Sequence, residues 1–365
     1  MNASSIPRRG KKRAEYMRTI RRLKRAILHD MKSQGFDFAA QSESFPAPEK
    51  EAIRKLHSMA VKHKLDKSQP GLERHEQSLL RYIANGTEVV PNKIDPILKL
   101  VEPETEEELL FRWTRLHWSI PTSPGYGRRL RFLVIDQANG KLMGLIGLGD
   151  PVFGLGPRDK WIGWDLHHQR AMLRHVMDAF VLGAIPPYNS LLCGKLIAAL
   201  ATSSEVRAAF RQKYRNSEAV LTQKPFDGRL ALVTTTSALG RSSVYNRLKN
   251  DGRLLYTTVG FTSGSGDFQF MNGTYDQIFD FATKYCDPTA KQTAWGTGFR
   301  NRREVVRKSL SHLNLDQRLL YHGVKREIFV APLAYNTAAF LRGDHQRLLW
   351  ISHDVRSIVA EFRDR

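Results

Sequence analysis

The chain has 365 residues, 41% of them apolar, and a formal net charge of +21. Six Trp, eighteen Phe and eleven Tyr supply enough apolar surface for sizeable cores, which excludes a disordered polyelectrolyte. A field of this sign attracts polyanions and releases their counterions on binding, so nucleic acid is the expected partner ahead of an acidic membrane surface.

A surface kept basic for solubility is the competing account. The two cysteines, Cys193 and Cys286, make no disulfide framework, and neither has a second thiol at metal-ligand spacing. No secretory apolar segment follows the basic N-terminus, and no apolar run nears the roughly 20 residues of a membrane span. A soluble protein of the reducing cytoplasm, without a membrane partner, is expected.

Residues 1–33 carry eleven Lys or Arg, among them Arg8, Arg9, Lys11, Lys12, Arg13, Arg21, Arg22 and Arg25, against Glu15 and Asp30. Met17, Ile20, Leu23, Ile27 and Met31 recur at helical spacing, which predicts a cationic amphipathic helix. It would lie along a phosphate backbone, or pack on its own domain with its charges in water. AQSESFPAP reads as a linker. Further helices are expected from Glu49 to about His63 and from Glu73 to Ile83, the last stopped at Asn85-Gly86.

From Lys93 the pattern changes. The apolar run ILKLVEP precedes TEEELLFRWTRLHWSI, a helix with Thr105 as N-cap and three glutamates in its first turn. RLRFLVID and KLMGLIGLGDP form a strand pair turned at Asn139-Gly140. A helical segment from about His167 to Asp178 leads to the strand AFVLGAI and the helix within PPYNSLLCGKLIAAL. After SEVRAAFRQKY, RLALVTTTSA reads as a buried strand, SSVYNRLKN as a short helix and GRLLYTTVGF as a strand. This order predicts mixed α/β with a central sheet.

A helix N-terminus offers up to four unpaired N–H groups and a partial positive charge. At Asn189–Lys195, Asn189 or Ser190 would cap the helix, Cys193 and Gly194 would let a phosphate approach the backbone, and Lys195 would add a charge. A buried helix with one glycine is the alternative. Across residues 95–262 the order of elements resembles the GNAT acyltransferases, in which the fourth strand runs into a turn and helix that hold the pyrophosphate of acetyl-CoA. The resemblance implies acetyl-CoA or a related acyl-CoA as cofactor. Carried onto Arg241, Ser242, Ser243, Tyr245 and Asn246, followed by Gly260-Phe261, it implies Tyr245 as the acid that protonates a leaving thiolate. An interface tyrosine is the alternative.

A longer resemblance rests on GDPVFGLGPRDKWIGWD, IPPYNSLLCGKLIA, TTTSALGRSSVYNRLK, VGFTSGSGDFQF, GTGFRNRREVVRKSL and LLYHGVKREIFVAPLAYNTAAFL. These strings look like the DruA family of the Druantia anti-phage system. The likeness implies bacterial defence against phage alongside a large helicase-like protein of the same system.

The same strings carry chemistry of their own. In RDKWIGW, Trp161 and Trp164 would stack an extruded base or a single strand while Arg158 holds a phosphate, or would fill space between sheet and helix. Arg300, Arg302, Arg303 and Arg307 gather at a helix start with Val305, Val306 and Leu310 inward, Arg300, Arg303 and Arg307 sharing one face spaced to follow phosphates. His322 beside Gly323 is a candidate for acid–base work, or a structural histidine. Asp150, Asp159 and Asp165 would hold Mg²⁺ for phosphodiester cleavage, with Asp159 as the catalytic carboxylate, if their geometry converged. Apart from that alternative no metal site is expected.

The expected architecture is α/β (α+β): a basic helical region over 1–92, a GNAT-like core with a mixed central sheet flanked by helices over 93–265, and a C-terminal α/β extension with an Arg-rich helix over 266–365. The expected function is a DNA-binding component of an anti-phage system that recognises phage DNA together with a helicase-like partner. A group-transfer enzyme acting on DNA or protein and a metal-dependent nuclease are the alternatives. Assembly into a homo-oligomer is left open.

Overall fold

The computed structural model describes residues 10–34, 36, 49–123, 125, 127–217, 225–270, 273–289 and 298–364. Arg8, Arg9 and the linker AQSESFPAP lie outside the described residues. In chain order the elements are α1 (Gly10–Ser33), α2 (Lys50–Leu80), β1 (Pro96–Leu100), α3 (Glu106–Leu116), β2 (Arg129–Asp136), β3 (Lys141–Gly149), α4 (Gly156–Ile162), α5 (Leu166–Met172), β4 (Val176–Ala184), α6 (Cys193–Leu200), α7 (Ser204–Tyr214) and β5 (Leu232–Thr236). A small hairpin of β6 (Lys249–Asn250) and β7 (Arg253–Leu254) follows, then β8 (Thr257–Phe261), α8 (Thr274–Tyr285), α9 (Arg302–His312), β9 (Glu327–Pro332), α10 (Thr337–Arg342) and α11 (Val355–Arg363).

The chain forms two compact units, each from separate segments. The smaller comprises residues 1–68, 119–121 and 263–325; the larger comprises 69–118, 122–262 and 326–365. The C-terminal hundred residues are therefore divided, 266–325 going to the smaller unit and 326–365 to the larger.

The smaller unit is helical. Leu23, Ile27 and Met31 of α1 are buried as the spacing predicts, but the seam continues upward through Tyr16, and Met17 is exposed. The Tyr16 hydroxyl hydrogen-bonds to His312 Nε2 at 2.6 Å and its ring meets Tyr285 edge-on at 5.1 Å. Gln34 donates to the Gln269 carbonyl at 2.9 Å.

Two expected helices prove to be one. α2 runs unbroken through Pro70, although an interior proline removes one backbone hydrogen bond. Burial on both sides of it outweighs that loss: Ile53, His57 and Ala60 are buried in the part belonging to the smaller unit, Leu72 and Leu79 in the part belonging to the larger.

The larger unit is built on a seven-stranded mixed sheet in the order β1-β2-β3-β4-β5-β9-β8. β4 and β5 are parallel, and every other neighbouring pair is antiparallel. Side-chain alternation sorts the strands between two cores. Met177, Ala179, Val233, Phe329 and Ala331 join α6, α7 and α11 on one face, while Val176, Leu232 and Val330 join Ile162 of α4 and Phe340 and Leu341 of α10 on the other. Thr105 caps α3 by accepting from the Glu108 N–H at 3.3 Å. At Gly147 an added Cβ would stand 2.8 Å from the Phe180 ring, so only glycine admits the bulge that places Phe180 there.

Two local expectations are corrected. SSVYNRLKN is a series of turns that ends in β6: Ser242 Oγ accepts from the Val244 N–H, Asn246 donates to the Ser242 carbonyl, and Arg247 has φ 61°. Local side-chain bonds to the backbone compete with helix formation here. GRLLYTTVGF is split into β7 and β8, and β4 begins at Val176, inside the stretch read as helix.

His175, just before β4, is 2% exposed between the rings of Phe226 and Phe340, each 5.0 Å away. Burial pushes its pKa down to about 4, against the opposing pull of Asp227, so at neutral pH its Nδ1–H donates to the Arg229 carbonyl at 2.8 Å. Because the folded value lies below the unfolded one of about 6.5, the stabilisation is whole above that pH and is lost as pH falls toward 4. Urea unfolding should show a loss of about 2 kcal/mol between pH 7 and 4.5 from this residue. The His175→Gln variant should lack that component of the slope.

Candidate nucleic-acid interface

The smaller unit holds 26 Lys and Arg against 13 Asp and Glu, so 13 of the 21 net positive charges fall in 134 of 365 residues. On α1, Arg13, Arg21, Arg22 and Arg25 are exposed. The side chains of Lys11 and Lys12 lie outside the described residues. On α9, Arg302, Arg303 and Arg307 are exposed. Arg300 is exposed too but precedes the N-cap Asn301, so it does not share the helix face predicted for it.

A buried carboxylate sets up the α9 arginines. Glu304 is 8% exposed and accepts from the Thr289 N–H at 2.8 Å, the Thr289 hydroxyl and the Arg300 N–H at 2.7 Å, with Lys308 Nζ at 3.3 Å. Burial alone would raise its pKa, but these donors more than reverse that and hold it down at about 2. The local anion is thereby used up. Arg302 stacks 3.8 Å over Tyr275 and lies 3.6 Å from Asp267, and Arg303 donates to Ser265 Oγ at 3.1 Å. Among the described residues Arg18, Arg21, Arg22, Arg25, Arg303 and Arg307 are in no ion pair.

In the larger unit the RDKWIGW residues form a structural pin. Arg158 is fully buried; it donates to the carbonyls of Val152 (3.0 Å) and Phe153 (2.7 Å), and twice to Asp159 Oδ1 at 2.7–2.8 Å. Asp159 also accepts from the Leu155 N–H and from the Trp164 indole, and the Arg158 guanidinium lies 5.6 Å over the Trp164 ring. Arg158 therefore has no phosphate-facing nitrogen, and Trp164 is committed to the pin. Trp161 alone of this set reaches an open cleft.

The three aspartates do not converge. Asp150 pairs with Arg128 at 2.7 Å, and Asp165 caps α5 through the His168 N–H. Among the described residues no three His, Cys, Asp or Glu side chains stand close enough to share a metal ion. His322 packs 4.5 Å from the Phe268 ring, and its Nδ1 accepts from the Val324 N–H at 3.1 Å.

At α6, Asn189 and Ser190 are exposed in a preceding turn and neither caps the helix; the N-cap is Leu192, with φ 59° and no side-chain bond. The Cys193 thiol is buried and pushed up to about 11 by burial and the Asp136 charge. Gly194 faces open space, but the Lys195 N–H is taken by the Leu192 carbonyl at 2.9 Å. Tyr245 is buried against Tyr256 (5.1 Å) and Phe329 (5.0 Å), and burial pushes its pKa up to about 12. A sealed acid and a helix start with few open donors do not fit an acyl-CoA.

Sequence reading missed a second cationic surface in the larger unit. Arg253 lies 4.4 Å over the ring of Tyr335, which is 69% exposed, and Arg207 lies 4.6 Å over Trp350. The two aromatics come together because Tyr335 donates its N–H to the Leu349 carbonyl and Ala334 bridges to Trp350. Asp251 and Gly252, both with positive φ, make the tight turn that presents Arg253. Lone aromatics next to arginines carry no spacing signal, and only the return of the chain after β9 assembles them.

Fold and surface together define a strongly basic mixed α/β protein. No helix among the described residues is long and apolar enough to cross a membrane. The model of the family described as "Druantia protein DruA" matches residues 47–343, and the chain belongs to that family. It is similar to the Druantia protein DruA of Escherichia coli (strain UMEA 4076-1), at 40% identity over 323 residues that cover 88% of this chain and 80% of that protein. No solved structure matches it.

The pin makes a direct prediction. Arg158→Met would take the Val152 carbonyl's donor and two of the four hydrogen bonds to Asp159, which keeps the Leu155 N–H and the Trp164 indole, and a buried acceptor left without its partner costs about 1–3 kcal/mol. Urea denaturation should show a loss of that size, and Arg303→Gln, on an exposed side chain, should stay within about 0.5 kcal/mol of the parent.

Proposed function

We propose that this chain is the DNA-binding component of a Druantia anti-phage defence system, recognising phage DNA together with a helicase-like protein of that system. The observation that carries the reading is the set of exposed arginines of α1 and α9 that no carboxylate neutralises among the described residues. Guanidinium groups of this kind bind phosphates and displace condensed counterions, a contribution independent of sequence. The anti-phage role rests on family membership. The helicase-like partner is inferred from the family resemblance alone.

Group transfer is the second reading, and one observation favours it. β4 runs to Ala184 and leads through the turn at Tyr188–Leu191 into α6, the strand–turn–helix order on which the GNAT-like resemblance rests. Against it stand the burial of Tyr245 and Cys193.

Filter binding of a DNA duplex across a salt series tests the first reading. Each phosphate contact removed should flatten the plot of log K against log salt by about 1, so the double variant Arg303→Gln/Arg307→Gln should lower the slope by about 2. An unchanged slope would remove α9 from the interface, and absence of DNA binding at low salt would overturn the reading. Calorimetric titration of acetyl-CoA should give no saturable heat; saturable binding that is lost in Gly194→Glu would put group transfer first.

A further inference from the structure

The larger unit contains an open cleft of about 580 Å³, within the roughly 300–1,000 Å³ of pockets that hold small organic ligands. Trp161 and Tyr335 line it with the small side chains of Ala334 and Ala338, and Lys249 and Arg253 supply charge. We infer that this cleft binds an unpaired nucleobase together with its phosphate. The inference rests on the nucleic-acid reading above and gives it a substrate class, single-stranded DNA.

Three observations converge on that ligand. Tyr335 is 69% exposed, so most of its ring is open to a ligand. Its ring is already held by the Arg253 guanidinium at 4.4 Å, so the stacking surface is oriented before a ligand arrives. Arg253 Nη1 is shielded from solvent and has no hydrogen-bond partner among the described residues, a cost that an anionic acceptor would relieve. An aromatic face beside a guanidinium is the arrangement that stacks bases without regard to sequence and tracks the strand by its charge. A duplex hides its base faces and gives such rings nothing to stack on.

The adjoining Arg207–Trp350 pair extends the surface. Trp350 is 38% exposed and its segment bridges to Ala334 at the cleft. Arg207 Nε is likewise shielded with no partner among the described residues. Two arginine–aromatic pairs on adjoining segments offer a strand more than one stacking position.

The test is fluorescence anisotropy with the full chain and three probes: a labelled single-stranded 20-mer, the corresponding duplex, and a labelled deoxyadenosine monophosphate. The variants are Tyr335→Ala, whose exposed side chain is not needed for folding, and Arg253→Gln, each checked for an unchanged melting temperature. Loss of a base stack should weaken the single strand roughly 5- to 150-fold in Tyr335→Ala while duplex binding changes less than twofold. Mononucleotide binding that is lost in the same variants supports the cleft with a free nucleotide as the source. Equal loss for duplex and single strand, or no loss in either variant, overturns the inference. Failure of the parent chain to bind any DNA overturns the functional reading instead, and the mononucleotide arm then decides the cleft alone.

Discussion

The insertion of β9 between β5 and β8 is the constraint on which the larger unit depends. β5 and β9 pair Leu232 with Pro332, a hundred residues apart, while β8 closes the sheet on the far side of β9. Between β8 and β9 the chain leaves to contribute residues 263–325 to the smaller unit. Loop-closure entropy opposes so distant a pairing, though only logarithmically in length. What sustains it is burial: Ile328, Phe329, Val330 and Ala331 are all fully buried, on both faces of the sheet. The same return strand brings Tyr335 to Arg253 of the β6–β7 hairpin, so the cleft exists only because β9 pairs where it does.

Arginine is used in three distinct ways, and the distinction is one of environment. Arg158 is closed in by two carbonyls and a carboxylate and acts as a structural fastener. Arg253 and Arg207 are part-exposed and lie on the exposed rings of Tyr335 and Trp350, each with one shielded nitrogen that has no partner among the described residues. Arg21, Arg22 and Arg25 of α1 and Arg303 and Arg307 of α9 are exposed and in no ion pair among the described residues, and Glu304 of α9 is already saturated by other donors. Only the last two groups can meet an external anion. Net charge alone does not separate the three, because each guanidinium contributes equally to +21.

Part of the site was legible because its signal is local. Periodicity placed Leu23, Ile27 and Met31 inward and Arg21, Arg22 and Arg25 outward, since a helix of 3.6 residues per turn fixes which positions share a face. Arg300 was misplaced because the N-cap Asn301 starts the helix one residue after it. Arg158 and Trp164 read as ligand-facing because a sequence does not show that Val152, Phe153 and Asp159 bend back to give each Arg158 guanidinium nitrogen an acceptor. The resemblance made Tyr245 an acid, and its burial was hidden for the same reason, as Phe329 comes from a strand more than eighty residues later.

What the sequence by itself determined is whatever depends on neighbours within a turn or two. That includes the helical basic region, the alternating strands, the Thr105 cap, the mixed α/β class, and family membership carried by long ordered strings. The tertiary structure alone decided the joining of α2 through Pro70, the order of strands around β9, the division into two units, and which cationic groups remain open. These depend on burial between residues far apart in the chain, and burial is a property of the assembled surface that no local spacing encodes.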